Sequence, residues 1–316
     1  MPARVAQTFL CADRGVGTTE ETVSRASVKM ARFSKAHVRR TGSQTILRLA
    51  NHGILYCSII MYERLEGSWP KVKRAKEHIS DLHQMLIAFA ASEFYTARIE
   101  HDAERRINTL CFDIDNSKFP TEDSSLLIGD AVQNLRGALD HLWYQVVLAC
   151  GGTPTNWTRF PFDDSRDALS ARLKEALEKQ RITLPVVELM LSSIVPYKNG
   201  NPTLCGLNEL GIMDRHQMFV PVLKMMSIRD LRLEDQVGRQ LDCVDYILDD
   251  SSRVRLHEAD DMVVQVKNKG RAAATIFFDI GAPFEGEPVL STLRRVTEEV
   301  SRTIEAFNLL ITKSPE

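Results

Sequence analysis

The stretch LLIGDAVQNLRGALDHLWYQVVLAC, Leu126 to Cys150, is the longest strongly periodic run in the chain, and any fold must be built around it. An α-helix turns about 100° per residue. On that wheel Ile128, Val132, Leu135, Leu139, Leu142, Trp143, Val146 and Cys150 share one side, the pattern of a core-facing stripe. Asp123 or Ser124 is placed to cap the start, and Gly151-Gly152 is a stop signal. The opposite side carries Asp130, Gln133, Arg136, Gly137, Asp140, His141 and Tyr144, a polar face with a glycine at its middle. A glycine inside a helix costs about 1 kcal/mol relative to alanine. Gly137 therefore predicts that some group approaches the helix closely there.

At 316 residues the chain is long enough for one large domain or two smaller ones. Its apolar fraction of 44% and charged fraction of 26% are those of an ordinary soluble globular protein. A net charge of -2 gives no global footprint for nucleic acid or membrane and leaves a local basic patch open. Cys11, Cys57, Cys111, Cys150, Cys205 and Cys243 are scattered without a C-x-x-C pair, which is neither a zinc-ribbon nor a disulfide-framework spacing. Reduced thiols and a cytoplasmic location follow. The apolar run Ile54 to Tyr62 is too short to span a bilayer and lies too far into the chain for a secretory signal. No membrane partner is expected.

Residues 1–50 carry nine Lys and Arg against three acids and read as a basic, weakly ordered arm, with an RNA- or partner-contacting tail and an organellar transit peptide as the alternatives. Residues 51–66 are a short element that docks it, so residues 1–66 form an extension. Lys71 to Ala91 has helical spacing at Ala75, Ile79, Leu82, Leu86 and Phe89. Tyr95 to Glu100 and Ile107 to Ile114 flank the polar turn HDAERR as a hairpin, and Pro120 breaks the chain before the central helix. After it, a loop packs Phe160-Pro161-Phe162 back onto the core. Ser165 to Lys179 is an exposed helix, Leu184 to Ile194 a short buried one ended by Pro196, and Thr203 to His216 another. Met218 to Met225, Leu241 to Leu248, Met262 to Val266 and Ala274 to Ile280 read as strands, and Glu287 to Ile311 as an amphipathic helix. The fold class is α+β: a helical core with a hairpin over residues 67–217, then a mostly antiparallel sheet over 218–316 covered by the last helix, the two parts forming one domain or two.

Two constellations could carry chemistry. In the first, Arg136 and His141 stand with four residues between them (RGALDH). Its purely structural reading is an i, i+4 ion pair between Arg136 and Asp140, with His141 at a helix contact. The second is Asn208-Glu209 followed by Asp214-Arg215-His216. Arg215 and His216 can serve there only as a cation cap on a helix C-terminus. Otherwise Asp214 or His216 reaches the polar face, and Asp140, His141, Asp214 and His216 gather as a hydrolase metal site. No spacing in the sequence specifies such a site, and no cofactor or metal is expected. The sequence contains no Walker A loop, no G-x-G-x-x-G after a strand, no G-x-S-x-G and no H-E-x-x-H.

The pair Arg136 and His141 resembles the R-x(4–6)-H signature of the HEPN superfamily, helical proteins that often act as metal-independent ribonucleases and dimerise. This resemblance implies RNA as substrate and a homodimer. His141 would move the proton of the ribose 2′-hydroxyl, and Arg136 would stabilise charge on the scissile phosphate, with Asn134, Asp140, Asp214 and His216 in support. Arg136 and His141 lie about 140° apart on the wheel, so a second helix must complete the site. The chain departs from the signature at Gly137, where a polar residue is usual. The order of motifs is also similar to an uncharacterised bacterial protein family: Arg74 to Ile79, Gly129 to His141 (G-D-x-x-x-N-L-R-x-x-L-D-H), Phe160-Pro161, Pro196-Tyr197, Leu207 to Leu210, and a D-K-H-R-like element at Asp214 to Gln217. Arg215 stands where that pattern has lysine and Gln217 where it has arginine. The competing reading is a non-catalytic interaction module that uses the face around Gly137 for a protein partner.

Overall fold

The computed structural model describes residues 66–217, 221–247, 253–256 and 262–312. The basic arm and, except for Glu66, its docking segment lie outside the described residues; the expected boundary after residue 66 falls within the turn Glu66–Ser68.

A short turn at Glu66–Ser68 leads into helix α1, Trp69–Ala90. Pro70 sits in its first turn, where a missing N–H costs nothing. Val72, Ala75, Ile79, Leu82, Leu86 and Phe89 form its buried side. Strands β1 (Tyr95–Asp102) and β2 (Ile107–Ile114) pair antiparallel as the expected hairpin. The central helix α2 spans Thr121–Ala149 and starts earlier than periodicity predicts. Pro120 holds the cap position, and Asp123 and Ser124 lie inside the first turn rather than before it. The Ser124 hydroxyl donates back to the Thr121 carbonyl at 2.8 Å, so it caps no N–H. Acidic Glu122 and Asp123 complement the positive end of the helix instead. The apolar stripe is buried as expected from Ile128 to Val146, and Cys150 is half-buried.

Three further helices follow. Ser165 caps α3 (Arg166–Lys179) by accepting the Ala168 N–H, and Leu169, Leu173 and Ala176 are buried, so this helix is amphipathic rather than exposed throughout. Helix α4 (Leu184–Leu189) widens into a π-type turn at Met190–Ile194 before left-handed Val195 and Pro196. Helix α5 runs Pro202–Met213, with Asn201 accepting the Leu204 N–H at 3.1 Å as its cap. It stops short of Arg215 and His216, which therefore lie beyond the helix.

The remaining strands are antiparallel. β3 (Val222–Asp235) pairs with β4 (Gln240–Ile247) on one edge, and with β6 (Val264–Asn268) and β7 (Arg271–Phe277) in succession on the other. β3 is longer than expected because Arg229-Asp230 does not end it. Asp230 takes φ 57° and a register shift absorbs the irregularity. β5 (Arg253–Arg255), unseen in the sequence pattern, adds a third strand to the hairpin. Between β6 and β7, Gly270 takes φ 77°, and a Cβ there would lie 2.5 Å from the Arg229 carbonyl oxygen. The Tyr95 hydroxyl donates to the carbonyls of Lys269 and Gly270, which ties this turn to the hairpin.

Helix α6 (Val289–Thr312) closes the chain. Its apolar side from Val289 to Ile311 packs against α1, α2 and α5, and its contact with the second sheet is at β7. The last helix thus completes the helical core rather than covering the sheet. Trp143 of α2 sits edge-on to Phe160 and Phe307, with ring centroids 6.1 and 6.3 Å away. The result is an α+β fold whose core is centred on α2. Among the described residues no helix is long and apolar enough to cross a membrane.

Candidate functional site

Helix α2 lies between α1 and α5, and its polar residues divide between these neighbours. Arg136 faces α5. It is only 9% exposed, although it belongs to the polar face of the helical wheel. Its Nε–H donates to Asn208 Oδ1 at 3.1 Å, a terminal nitrogen donates to Asp140, and its guanidinium carbon lies 4.7 Å from the centroid of the Phe162 ring. Burial pushes the Arg136 pKa down, Asp140 opposes that, and the nearby charges of Arg215 and Arg159 reinforce it. Asp140 is equally committed. It also accepts the Phe160 backbone N–H at 2.9 Å and lies 3.7 Å from Arg159 Nε. Arg136 and Asp140 therefore hold α2, α5 and the Phe160-Pro161-Phe162 loop together, extending the i, i+4 pair of the structural reading.

One turn earlier, Gln133 Nε2 donates to the Gly211 carbonyl at 3.0 Å and to Asp214 Oδ2 at 2.9 Å. A Cβ on Gly129 would lie 2.3 Å from Asp214 Oδ1, so this glycine makes room for the carboxylate. Asp214 thus does reach α2, though at Gly129 and Gln133. Asn134 donates to the Asp130 carbonyl of its own helix at 2.8 Å. His216 is exposed beyond the end of α5. Among the described residues no three His, Cys, Asp or Glu side chains gather as metal ligands.

His141 is exposed and belongs to the side of α2 nearest α1. Burial of part of the ring pushes its pKa below the ordinary histidine value, the charge of Lys71 adds to this, and Asp140 pulls the other way. Lys71, in the first turn of α1, is the group whose approach Gly137 predicts. A Cβ on Gly137 would lie 3.3 Å from Lys71 Cδ and from Lys71 Nζ. Gly137 and His141 are four residues apart, hence about 40° apart on the wheel and one turn along it.

Arg136 and His141 therefore stand in different surroundings, one enclosed against α5 and one open beside α1. Lys71 and Arg159, which the sequence reading missed, join the polar residues of α2, as do Asn208 of the second constellation and Phe162 of the loop expected to pack on the core. Asn208 had a signal, since it stands in the Leu207-to-Leu210 motif. Lys71 had none, because a helical glycine marks a close approach without naming the side chain that makes it. A separate polar pocket of about 170 Å³, lined by Asp163, Arg172, Lys198 and Glu209, reaches Phe162 and Asn208 but not Arg136. No protein-family model, curated protein or solved structure matches the chain.

Proposed function

We propose that the chain binds RNA and cleaves it without a metal ion, with His141 as the proton-transfer group. The observation that supports this most directly is an exposed imidazole on α2, one turn from the notch at Gly137 where Lys71 approaches. Partial burial and the Lys71 charge lower its pKa and so favour the neutral form that acts as a base. Lys71 and Arg159 stand near His141 and Asp140, and Arg159 and Arg215 both act on Arg136. Of these cations, Arg136 and Arg159 share Asp140, and Lys71 beside His141 is placed to meet a phosphate backbone. In the proposed reaction His141 takes the proton of a ribose 2′-hydroxyl as the 2′-oxygen attacks the adjacent phosphorus. The bond from phosphorus to the 5′-oxygen breaks. The products are a 2′,3′-cyclic phosphate and a 5′-hydroxyl, whose oxygen receives the proton returned by the imidazolium. The HEPN resemblance adds a homodimer to the proposal, with the exposed α2 face of Asp130, His141 and Tyr144 toward the second copy.

A non-catalytic interaction module is the second reading, favoured by the enclosure of Arg136. Single-turnover incubation of a mixed RNA pool with EDTA, comparing wild type with His141→Ala, separates the two. Cleavage by wild type and its loss in the variant is the expected result. No cleavage by wild type overturns the proposal and leaves the module, and equal cleavage by both removes His141 from the reaction.

A further inference from the structure

We infer that Lys71 supplies the cation that meets the RNA phosphate beside His141, the part that the sequence motif assigns to Arg136. The inference rests on the RNA-cleaving reading and gives it a residue from a different helix.

The argument begins with what Arg136 is doing. Its guanidinium is spent on Asn208, Asp140 and the Phe162 ring and is almost closed to solvent. Bringing it to a phosphate would leave the Asp140 carboxylate without its nearest cation. Lys71 is in the opposite condition. Its stem lies over the notch left by Gly137, which holds the ammonium against α2 within one turn of His141. No carboxylate among the described residues pairs with it. A partly buried ammonium with open donor positions favours an anion, and a phosphate oxygen is a fitting acceptor.

The charged groups around His141 fit this role. Lys71 faces it from α1, Asp140 precedes it on α2, and Arg159 of the following loop is drawn toward Asp140. Partial burial of the ring lowers the His141 pKa, and the lysine charge adds to that. When a phosphate arrives, its negative charge offsets the ammonium and makes protonation of His141 easier. One residue thus holds the phosphate and links its arrival to the basicity of the imidazole. Gly137 lets the lysine stem lie against the helix, and a Cβ there, 3.3 Å from Lys71 Cδ and Nζ, would move the end of the lysine by a few tenths of an ångström.

The test does not depend on cleavage. The imidazole resonances of His141 are followed by NMR while inorganic phosphate, or an oligouridylate with one 2′-deoxy position blocking attack, is added to wild type, Lys71→Gln, Lys71→Arg and Gly137→Ala. Both ligands are expected to shift the His141 signals in wild type. Lys71→Gln should weaken both responses by roughly tenfold or more, as loss of a charge-assisted contact does. Lys71→Arg should keep most of the response. Gly137→Ala, which shifts the lysine end by only a few tenths of an ångström, should change the response far less than Lys71→Gln does. An unchanged response in Lys71→Gln, or no His141 response in wild type, overturns the inference. Cleavage of ordinary RNA by Lys71→Gln at the wild-type rate overturns it while sparing the ribonuclease reading. Lysine-dependent binding without any cleavage supports the phosphate site and removes the ribonuclease.

Discussion

The Asp140 carboxylate accepts the Phe160 backbone N–H at 2.9 Å, so the loop that carries the Phe160 and Phe162 rings is fastened to the central helix at the residue that also holds Arg136. The two residues of the R-x(4)-H motif should therefore differ sharply in what they contribute to stability. Arg136→Met leaves Asp140 deprived of its main cation in a site where its side chain is 18% exposed. Urea unfolding should show a loss of roughly 3 kcal/mol, the scale of breaking a largely buried pair from one side. His141→Ala should stay within about 0.5 kcal/mol of wild type, as exposed positions do. Equal losses for the two variants would contradict the division of roles.

Gly129 should resist substitution although it lies in a helix. Alanine there gains about 1 kcal/mol of helix propensity, but its Cβ falls 2.3 Å from Asp214 Oδ1. Displacing that carboxylate also breaks its bond from Gln133 at 2.9 Å. A net loss of about 1–2 kcal/mol is expected for Gly129→Ala, the range for added volume at a packed contact. In an Asp214→Ala background the same change should be neutral or stabilising. A double-mutant cycle by urea unfolding measures that coupling.

These cases mark what could be read from the residues alone. The stripe from Ile128 to Val146, the hairpin and the terminal helix were legible because apolar side chains repeat at the period of the element that buries them. The start of α2 was not, because Pro120 can occupy a cap position without a capping side chain. Strand β3 was longer than its pattern because pairing on both edges carries it through Arg229-Asp230. At the site, periodicity placed Arg136 on a polar face, and Asn208, Asp140 and Phe162 then enclosed it. Burial of a charged side chain depends on such distant partners, and no local spacing reveals them. Gly137 did predict a close approach, and only the fold could say that Lys71 makes it.

The pH dependence has a definite sign. The folded-state pKa of His141 is lower than the ordinary value, so folding opposes its protonation. The stability linked to this group is fully present above the ordinary histidine pKa of about 6.5 and is lost as the pH falls through the lower folded value. Lys71→Gln removes a like charge and should raise the His141 titration midpoint toward the ordinary value. Melting temperatures recorded from neutral to mildly acidic pH should then fall less steeply for the variant than for wild type. If the midpoint moves down, Lys71 does not act on His141 as its position requires.

Phe284 supplies the last test, away from the candidate site. It takes a left-handed φ of 65°, and its ring enters α5 so closely that a Cβ on Gly206 would lie 2.2 Å from its Cζ. The ring is also held 6.0 Å from Phe278 and 5.4 Å from the Arg295 guanidinium carbon, measured to ring centroids for the phenylalanines. Its loop is closed by the Phe278 N–H to Glu287 carbonyl bond at 3.1 Å and the Gly286 N–H to Phe278 carbonyl bond at 3.0 Å. A half-buried ring with these neighbours moves aside less freely than the end of a lysine. Gly206→Ala should therefore cost about 1–3 kcal/mol by overpacking despite alanine's better helix propensity. In a Phe284→Ala background the obstacle is gone and propensity alone remains. There Gly206→Ala should stabilise the protein by several tenths of a kcal/mol to about 1 kcal/mol. Urea unfolding of the four proteins reads the change of sign, and the same sign in both backgrounds would show that Phe284 does not rest on Gly206.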